Sequence, residues 1–333
     1  MINITNPLSH NRRKIQLTGT STYVVSLPKS WARKNNVSAG RQAIIAETPD
    51  GSLSLRLDEP PKNKKEININ LDVLKSPIEI HRLLLSAYLG GFASIKFFSS
   101  AKINPQTSVL LSSEVKRLPG FQITEEKDNE ITVQDFFSPN NLSIEKTVRR
   151  AHTFSFKMHE DLAECLFEGG QLHRSIIEMD GEVDSLSSLV LRQATEALSD
   201  SSRMQAFGML PHECVHYILL MRNIEKIGDY ARTSAEKLSK EKAKMLPKDA
   251  EPLQSLHSLA LCAYSEAVGA FLESDAAQAN KVIMKISQGI ADAKQPNSHT
   301  PHNFIYDGIF RTMERSNAIA QLAITRSIKK NGQ

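Results

Sequence analysis

The sequence predicts a multidomain chain: a small β-rich head, a small α/β domain, and an all-α region made of a pair of three-helix bundles. Three patterns carry this. Short apolar runs cut by Gly and Pro fill the first 60 residues. Strand-like and helix-like segments alternate between residues 66 and 138. From Ser143 onward apolar residues recur at helical spacing over long stretches. At 333 residues, 40% of them apolar and 23% charged, the chain has the length for two or three cored domains. The predicted divisions are 10–60, 66–138 and 143–330, the last split into bundles 143–242 and 253–329.

In the head, residues 1–10 read as a loose tail. Arg13–Leu17 and Tyr23–Leu27 read as strands, and Lys29–Asn35 as a short helix started by Pro28. Gln42–Glu47 and Ser52–Leu57 are strands joined by the turn Thr48-Pro49-Asp50-Gly51. Residues 58–65, with two prolines and three lysines, form a linker.

The middle region opens with a strand at Glu66–Leu71. Ser76-Pro77-Ile78-Glu79 starts a helix that stops at Gly90-Gly91. A strand at Ile95–Phe98, a helix at Gln106–Lys116, and strands Phe121–Glu126 and Glu130–Gln134 complete an α/β unit. No catalytic constellation stands out in it. Six helices follow: residues 143–168, 172–198, 211–242, 253–273, 276–293 and 303–328. Pro247 and Pro252 mark a linker and Pro296–Pro301 a loop. Arg222-x-x-Glu225 recurs as Arg311-x-x-Glu314, with Ala231 matched by Ala320. Three helices, a linker and three helices therefore read as an internal duplication.

Composition excludes some classes. No run approaches the ~18 apolar residues of a membrane span, and the start lacks the apolar core of a signal peptide. A cytoplasmic protein without membrane insertion is expected. Cys165, Cys214 and Cys262 are too scattered for a disulfide framework or a cysteine zinc site. The net charge of +4 is uneven: residues 1–57 carry +6, which leaves −2 for the rest. A basic segment on an acidic body fits a polyanionic partner or a solvated basic surface.

Two carboxylate pairs stand out. Asp180 and Asp184 lie four apart beside the apolar stripe Leu172, Ile176, Met179, Val183, Leu186 and Val190. Glu225 and Asp229 repeat this beside Tyr217, Leu220, Ile224, Ile227, Ala231 and Leu238. Like charges at i, i+4 cost a few tenths of a kcal/mol on a helix. Converging oxygen donors suit a divalent metal. Arg222 and Arg232, at i±3, offer a salt-bridged face instead. His212-Glu213-Cys214-Val215-His216 matches the zinc-hydrolase pattern H-E-x-x-H. Glu236 is ~30 Å from His216 along a continuous helix, too far to be a third ligand.

Two segments also resemble known families. Arg13-Lys14-Ile15-Gln16-Leu17-Thr18-Gly19, then Ser21-Thr22-Tyr23-Val24-Val25-Ser26-Leu27-Pro28-Lys29-Ser30-Trp31, then Ala39-Gly40 and a hairpin, resembles the SpoVT/AbrB-like domain. The resemblance implies two chains that swap hairpins into one dimeric barrel and bind DNA. Arg12, Arg13, Lys14, Lys29, Arg33 and Lys34 would neutralise phosphates. Asp180-Gly181-Glu182-Val183-Asp184 with Leu191-Arg192-Gln193, and Arg222-Asn223-Ile224-Glu225-Lys226-Ile227-Gly228-Asp229-Tyr230-Ala231, resembles PhoU. Together they are similar to archaeal PhoU regulators that carry an AbrB-like domain in front.

This resemblance implies a non-catalytic DNA-binding regulator of phosphate uptake and homeostasis. It implies a homodimer, with iron or zinc held by Asp180, Asp184, Glu225 and Asp229. The second bundle departs from the pattern: Ala318 stands four after Glu314, and Ile283–Ile290 has no carboxylate, so its metal site is expected to be lost. Two other functions stay open. One is an adaptor that meets a phosphate transporter or signalling protein and uses residues 1–57 only to dimerise. The other is a zinc hydrolase built on His212, Glu213 and His216.

Overall fold

The computed structural model describes residues 12–47, 51–57, 65–136, 143–199, 204, 209–240, 247–293 and 303–331. The expected tail at 1–10, residues 48–50 of the expected turn, residues 58–64 of the expected linker and the Pro296–Pro301 loop lie outside these. The chain divides into two compact units, Met1–Asn63 and Lys64–Gln333.

In the first unit β1 (Gln16–Thr18) and β2 (Thr22–Val24) pair antiparallel, with Thr18 opposite Thr22. Gly19 takes the tight connection at φ 69°, a left-handed conformation that favours glycine. Helix α1 (Lys29–Lys34) begins directly after Pro28. Strands β3 (Ala43–Glu47) and β4 (Leu53–Leu57) form a second antiparallel pair. The first two strands are shorter than their sequence suggests. Among the described residues each of these sheets has two strands, so no third strand extends the ladder. None of the described residues in this unit is buried. Ile15, Leu17, Tyr23, Val25, Ile45 and Leu53 are all exposed.

The second unit begins with the α/β region. Strand β5 (Glu66–Asn70) crosses through α2 (Pro77–Leu89) to the parallel β6 (Ser94–Phe98). Helix α3 (Pro105–Lys116) leads to the hairpin β7 (Phe121–Lys127) and β8 (Glu130–Asp135), giving the order β5-β6-β8-β7. Pro77 and Pro105 occupy first-turn helix positions, where their missing N–H costs nothing. Tyr88, Leu84, Ile95, Phe97, Leu111, Ile131 and Val133 form the core between helices and sheet.

Six helices follow: α4 (Ile144–Ala163), α5 (His173–Ser199), α6 (Pro211–Leu238), α7 (Pro247–Glu273), α8 (Ala276–Asp292) and α9 (Asn303–Asn331). The Ser143 side chain caps α4 by accepting from the Lys146 N–H. That helix widens into a π turn at Glu164–Glu168 and stops at Gly169, φ 80°. The expected linker at Pro247 and Pro252 is instead the start of α7. Pro247 begins the helix, and Pro252 lies inside it in the second turn, where its missing N–H removes one bond of the backbone ladder.

Most of the predicted stripes are buried: Ile176, Val183, Leu186 and Val190 on α5, and Tyr217, Leu220, Ile224, Ile227 and Ala231 on α6, while Leu172, Met179 and Leu238 are half-buried. Each buried Ile, Val or Leu side chain among them contributes roughly 1.5–3 kcal/mol. They share one continuous core with Tyr264, Ala267 and Phe271 of α7 and Ile309, Met313 and Ala320 of α9. His159 of α4 and His257 of α7 lie 3.4 Å apart in this core.

The α/β region is fastened to α5 by Arg192, whose side chain is buried. It donates to the carbonyls of Tyr88 (2.6 Å) and Phe92 (3.1 Å) and pairs with Asp135 and Glu196. Its guanidinium also stacks over Tyr88 and Phe121, 4.7 and 5.0 Å from the ring centres.

Candidate functional site

The two carboxylate pairs meet across α5 and α6. Ser187 of α5 donates to Glu225 of α6 at 2.7 Å, which fixes the facing register. Asp180 is buried rather than merely beside the stripe, and Arg232 of α6 reaches it at 2.9 Å. Glu225 also accepts from Arg222 at 3.0 Å, and Asp229 pairs with Lys226 at 2.6 Å. Arg232 continues to Glu236 at 2.7 Å. The guanidinium and ammonium groups at i±3 therefore neutralise much of this face.

The crowding still leaves an electrostatic mark. Loss of water, then the neighbouring Asp184, push the Asp180 carboxyl up to about 6, against the pull of Arg232. Desolvation, Glu225 and Asp229 also raise Asp184 above the usual carboxylate range. No ion pair within 4 Å engages Asp184 among the described residues. Among those residues, no three His, Cys, Asp or Glu side chains are grouped to hold a metal ion. The donor chemistry of Asp180, Asp184, Glu225 and Asp229 suits a divalent cation. In this arrangement, however, Arg222, Lys226 and Arg232 fill much of the space such an ion would need.

Glu213 and His216 of the H-E-x-x-H motif are engaged in the packing of α6. Glu213 accepts from the Leu210 N–H at 3.0 Å, closing the start of α6, and lies 3.7 Å from Arg326 of α9. A general base would need that carboxylate free. His216 is buried, and its ring centre lies 5.8 Å from that of His212. Glu236 is engaged by Arg232.

The six basic residues of the head are exposed: Arg12, Arg13 and Lys14 precede β1, while Lys29, Arg33 and Lys34 lie on α1. The second bundle differs from the first, since Arg311 pairs with Asp307 at 2.9 Å rather than with Glu314. Sequence reasoning gave no role to Arg117, whose guanidinium lies over Gly181 of α5. The missing side chain at Gly181 was the one available signal.

Residues 148–238 match the PhoU domain family. The match runs from α4 to the end of α6, so it takes in both carboxylate pairs and their cation partners. Helices α7–α9, the α/β region and the head lie outside it. No curated protein matches the chain. Among the described residues, no helix is long and apolar enough to cross a membrane.

Proposed function

We propose that this chain is a non-catalytic, DNA-binding regulator of phosphate uptake and phosphate homeostasis. The observation that carries the reading is the PhoU match over the helices that bring Asp180 and Asp184 opposite Glu225 and Asp229. The PhoU-like body senses or relays phosphate status, and the head acts on promoters. The head's exposed basic residues and its resemblance to SpoVT/AbrB-like domains support this role. Its lack of any buried described residue supports pairing with a second copy, which would supply the missing core.

A divalent metal such as iron or zinc belongs to this reading as a modulator. It would be held by Asp180, Asp184, Glu225 and Asp229, and would supply positive charge that joins α5 to α6. Loading requires Arg232, Arg222 and Lys226 to leave Asp180, Glu225 and Asp229. Metal content of the purified protein, compared with an Asp184→Asn/Glu225→Gln variant, tests it: a stoichiometric ion lost in the variant is expected, and equal content contradicts it.

The regulatory role is tested in a strain lacking the protein, by measuring phosphate import and transport-gene transcripts at high and low phosphate. Loss of the phosphate dependence is expected. Unchanged profiles contradict the proposal. Altered import with unaltered transcripts would instead support an adaptor acting on a transporter or signalling partner.

A further inference from the structure

A cleft of about 360 Å³ opens between α2 and α3 of the α/β region and α5 and α6 of the bundle. That volume falls in the ~300–1,000 Å³ range of small-molecule sites. One wall is apolar and includes Leu85 and Leu89 of α2 and Leu191 of α5. Serines 185 and 188 lie on the same helix as Leu191.

The charged lining sorts into pairs. His81 binds Glu114 at 2.6 Å, and Arg222 binds Glu225 at 3.0 Å. This leaves Arg117 and Asp184, which attract each other at longer range but form no ion pair within 4 Å among the described residues. Arg117 comes from the end of α3, and its Nη2 lies 3.8 Å from where a side chain at Gly181 would begin. Asp184 follows one turn after Gly181 on α5. One cation and one anion therefore face the cleft from opposite domains, beside an apolar wall.

We infer that this cleft binds an apolar α-amino acid. The ligand ammonium meets Asp184, its carboxylate meets Arg117, and its side chain lies on the leucines. The charge count favours a zwitterion over free phosphate. With His81 paired to Glu114 and Arg222 to Glu225, the lining keeps one cation and one anion and offers no net positive charge to hold a phosphate dianion. A purely apolar ligand would leave Arg117 and Asp184 desolvated without partners. The site spans the joint that Arg192 fastens, so occupancy would tighten the α/β region against the bundle. This inference goes beyond the phosphate reading and concerns the metal-free protein, since Asp184 cannot hold a divalent ion and an ammonium at once.

The test is calorimetric titration of the full chain with L-leucine, L-methionine and L-phenylalanine in the presence of a chelator. 3-Methylbutylamine, 4-methylpentanoate and inorganic phosphate serve as comparison ligands. At least one amino acid should bind, with the amine and the acid about ten-fold weaker or more, since each lacks one charge-assisted hydrogen bond. Arg117→Gln and Asp184→Asn should each weaken binding by a similar factor. Both positions keep solvent contact, and an unchanged unfolding midpoint would show that the fold is intact. Absence of amino-acid binding at millimolar concentration overturns the proposal. So does binding that is unaffected by Arg117→Gln, or equal affinity for the amine. Phosphate binding that disappears in Arg117→Gln also overturns it, and would make the cleft a phosphate site.

Discussion

His159 and His257 show how one buried pair can set a pH response. His159 Nε2 lies 2.9 Å from the Ile227 carbonyl, so that nitrogen donates and Nδ1 accepts from His257. Burial holds both imidazoles neutral, with His159 pushed down to about 4 and His257 to about 3. The unfolded chain protonates near pH 6.5. Their contribution is thus fully present above that value and is lost as pH falls toward 4. Between pH 7 and pH 5 each histidine should cost about 2 kcal/mol of stability. Urea unfolding at the two pH values should show this loss, and His257→Leu should reduce it. An identical pH dependence in the variant would contradict the assignment.

Among the elements, α5 has the most demanding position, because it serves both the carboxylate face and the joint to the α/β region. Arg192 holds that joint with a buried side chain. Arg192→Met would take the guanidinium from Asp135, Glu196 and two backbone carbonyls, at about 3–5 kcal/mol. Arg192→Lys should recover little, because a lysine lacks the planar fork and the ring stacking. A denaturant midpoint close to that of the unaltered protein would count against the clamp.

The helices themselves were legible because a 3.6-residue period marks the buried face at every turn, as Ile176, Val183 and Val190 show. The joint was not legible, since nothing local to Leu191-Arg192-Gln193 says that Tyr88 and Phe92 wait about 100 residues away. The same limit applies at the candidate site. The i, i+4 spacing placed each carboxylate pair on one face, but the reach of Arg232 to Asp180 depends on how α5 packs on α6. Pro252 misled for a related reason. A proline reads as a break, yet in the opening turns of α7 the helix accommodates it.

For the molecule as a whole, the contrast between the two units matters most. The second carries a continuous core across six helices and a second core under the sheet. The first exposes its apolar residues on two-stranded sheets that are marginal alone. Pairing of two copies would bury Leu17, Tyr23, Ile45 and Leu53. Light scattering on the full chain should therefore give a dimer, and removal of residues 1–57 should give a monomer that still shows the helical unfolding transition. A truncated protein that remains dimeric would move the interface to the second unit. In the head, pattern alone overstated the length of β1 and β2, which no further strand among the described residues extends, but placed β3 and β4 to within a residue.

The central claim is that this head carries a phosphate regulator to DNA. The most direct test is binding of the purified full chain to promoter fragments of phosphate-transport genes, titrated with salt and competed with unrelated DNA. These promoters should outcompete unrelated DNA. Binding should vanish without residues 1–57. Neutralising Arg12, Arg13 and Lys14 should lower the slope of log affinity against log salt by about 0.9 for each DNA phosphate that is no longer neutralised. Weak binding that is equal on all DNA, or that survives the truncation, would contradict it.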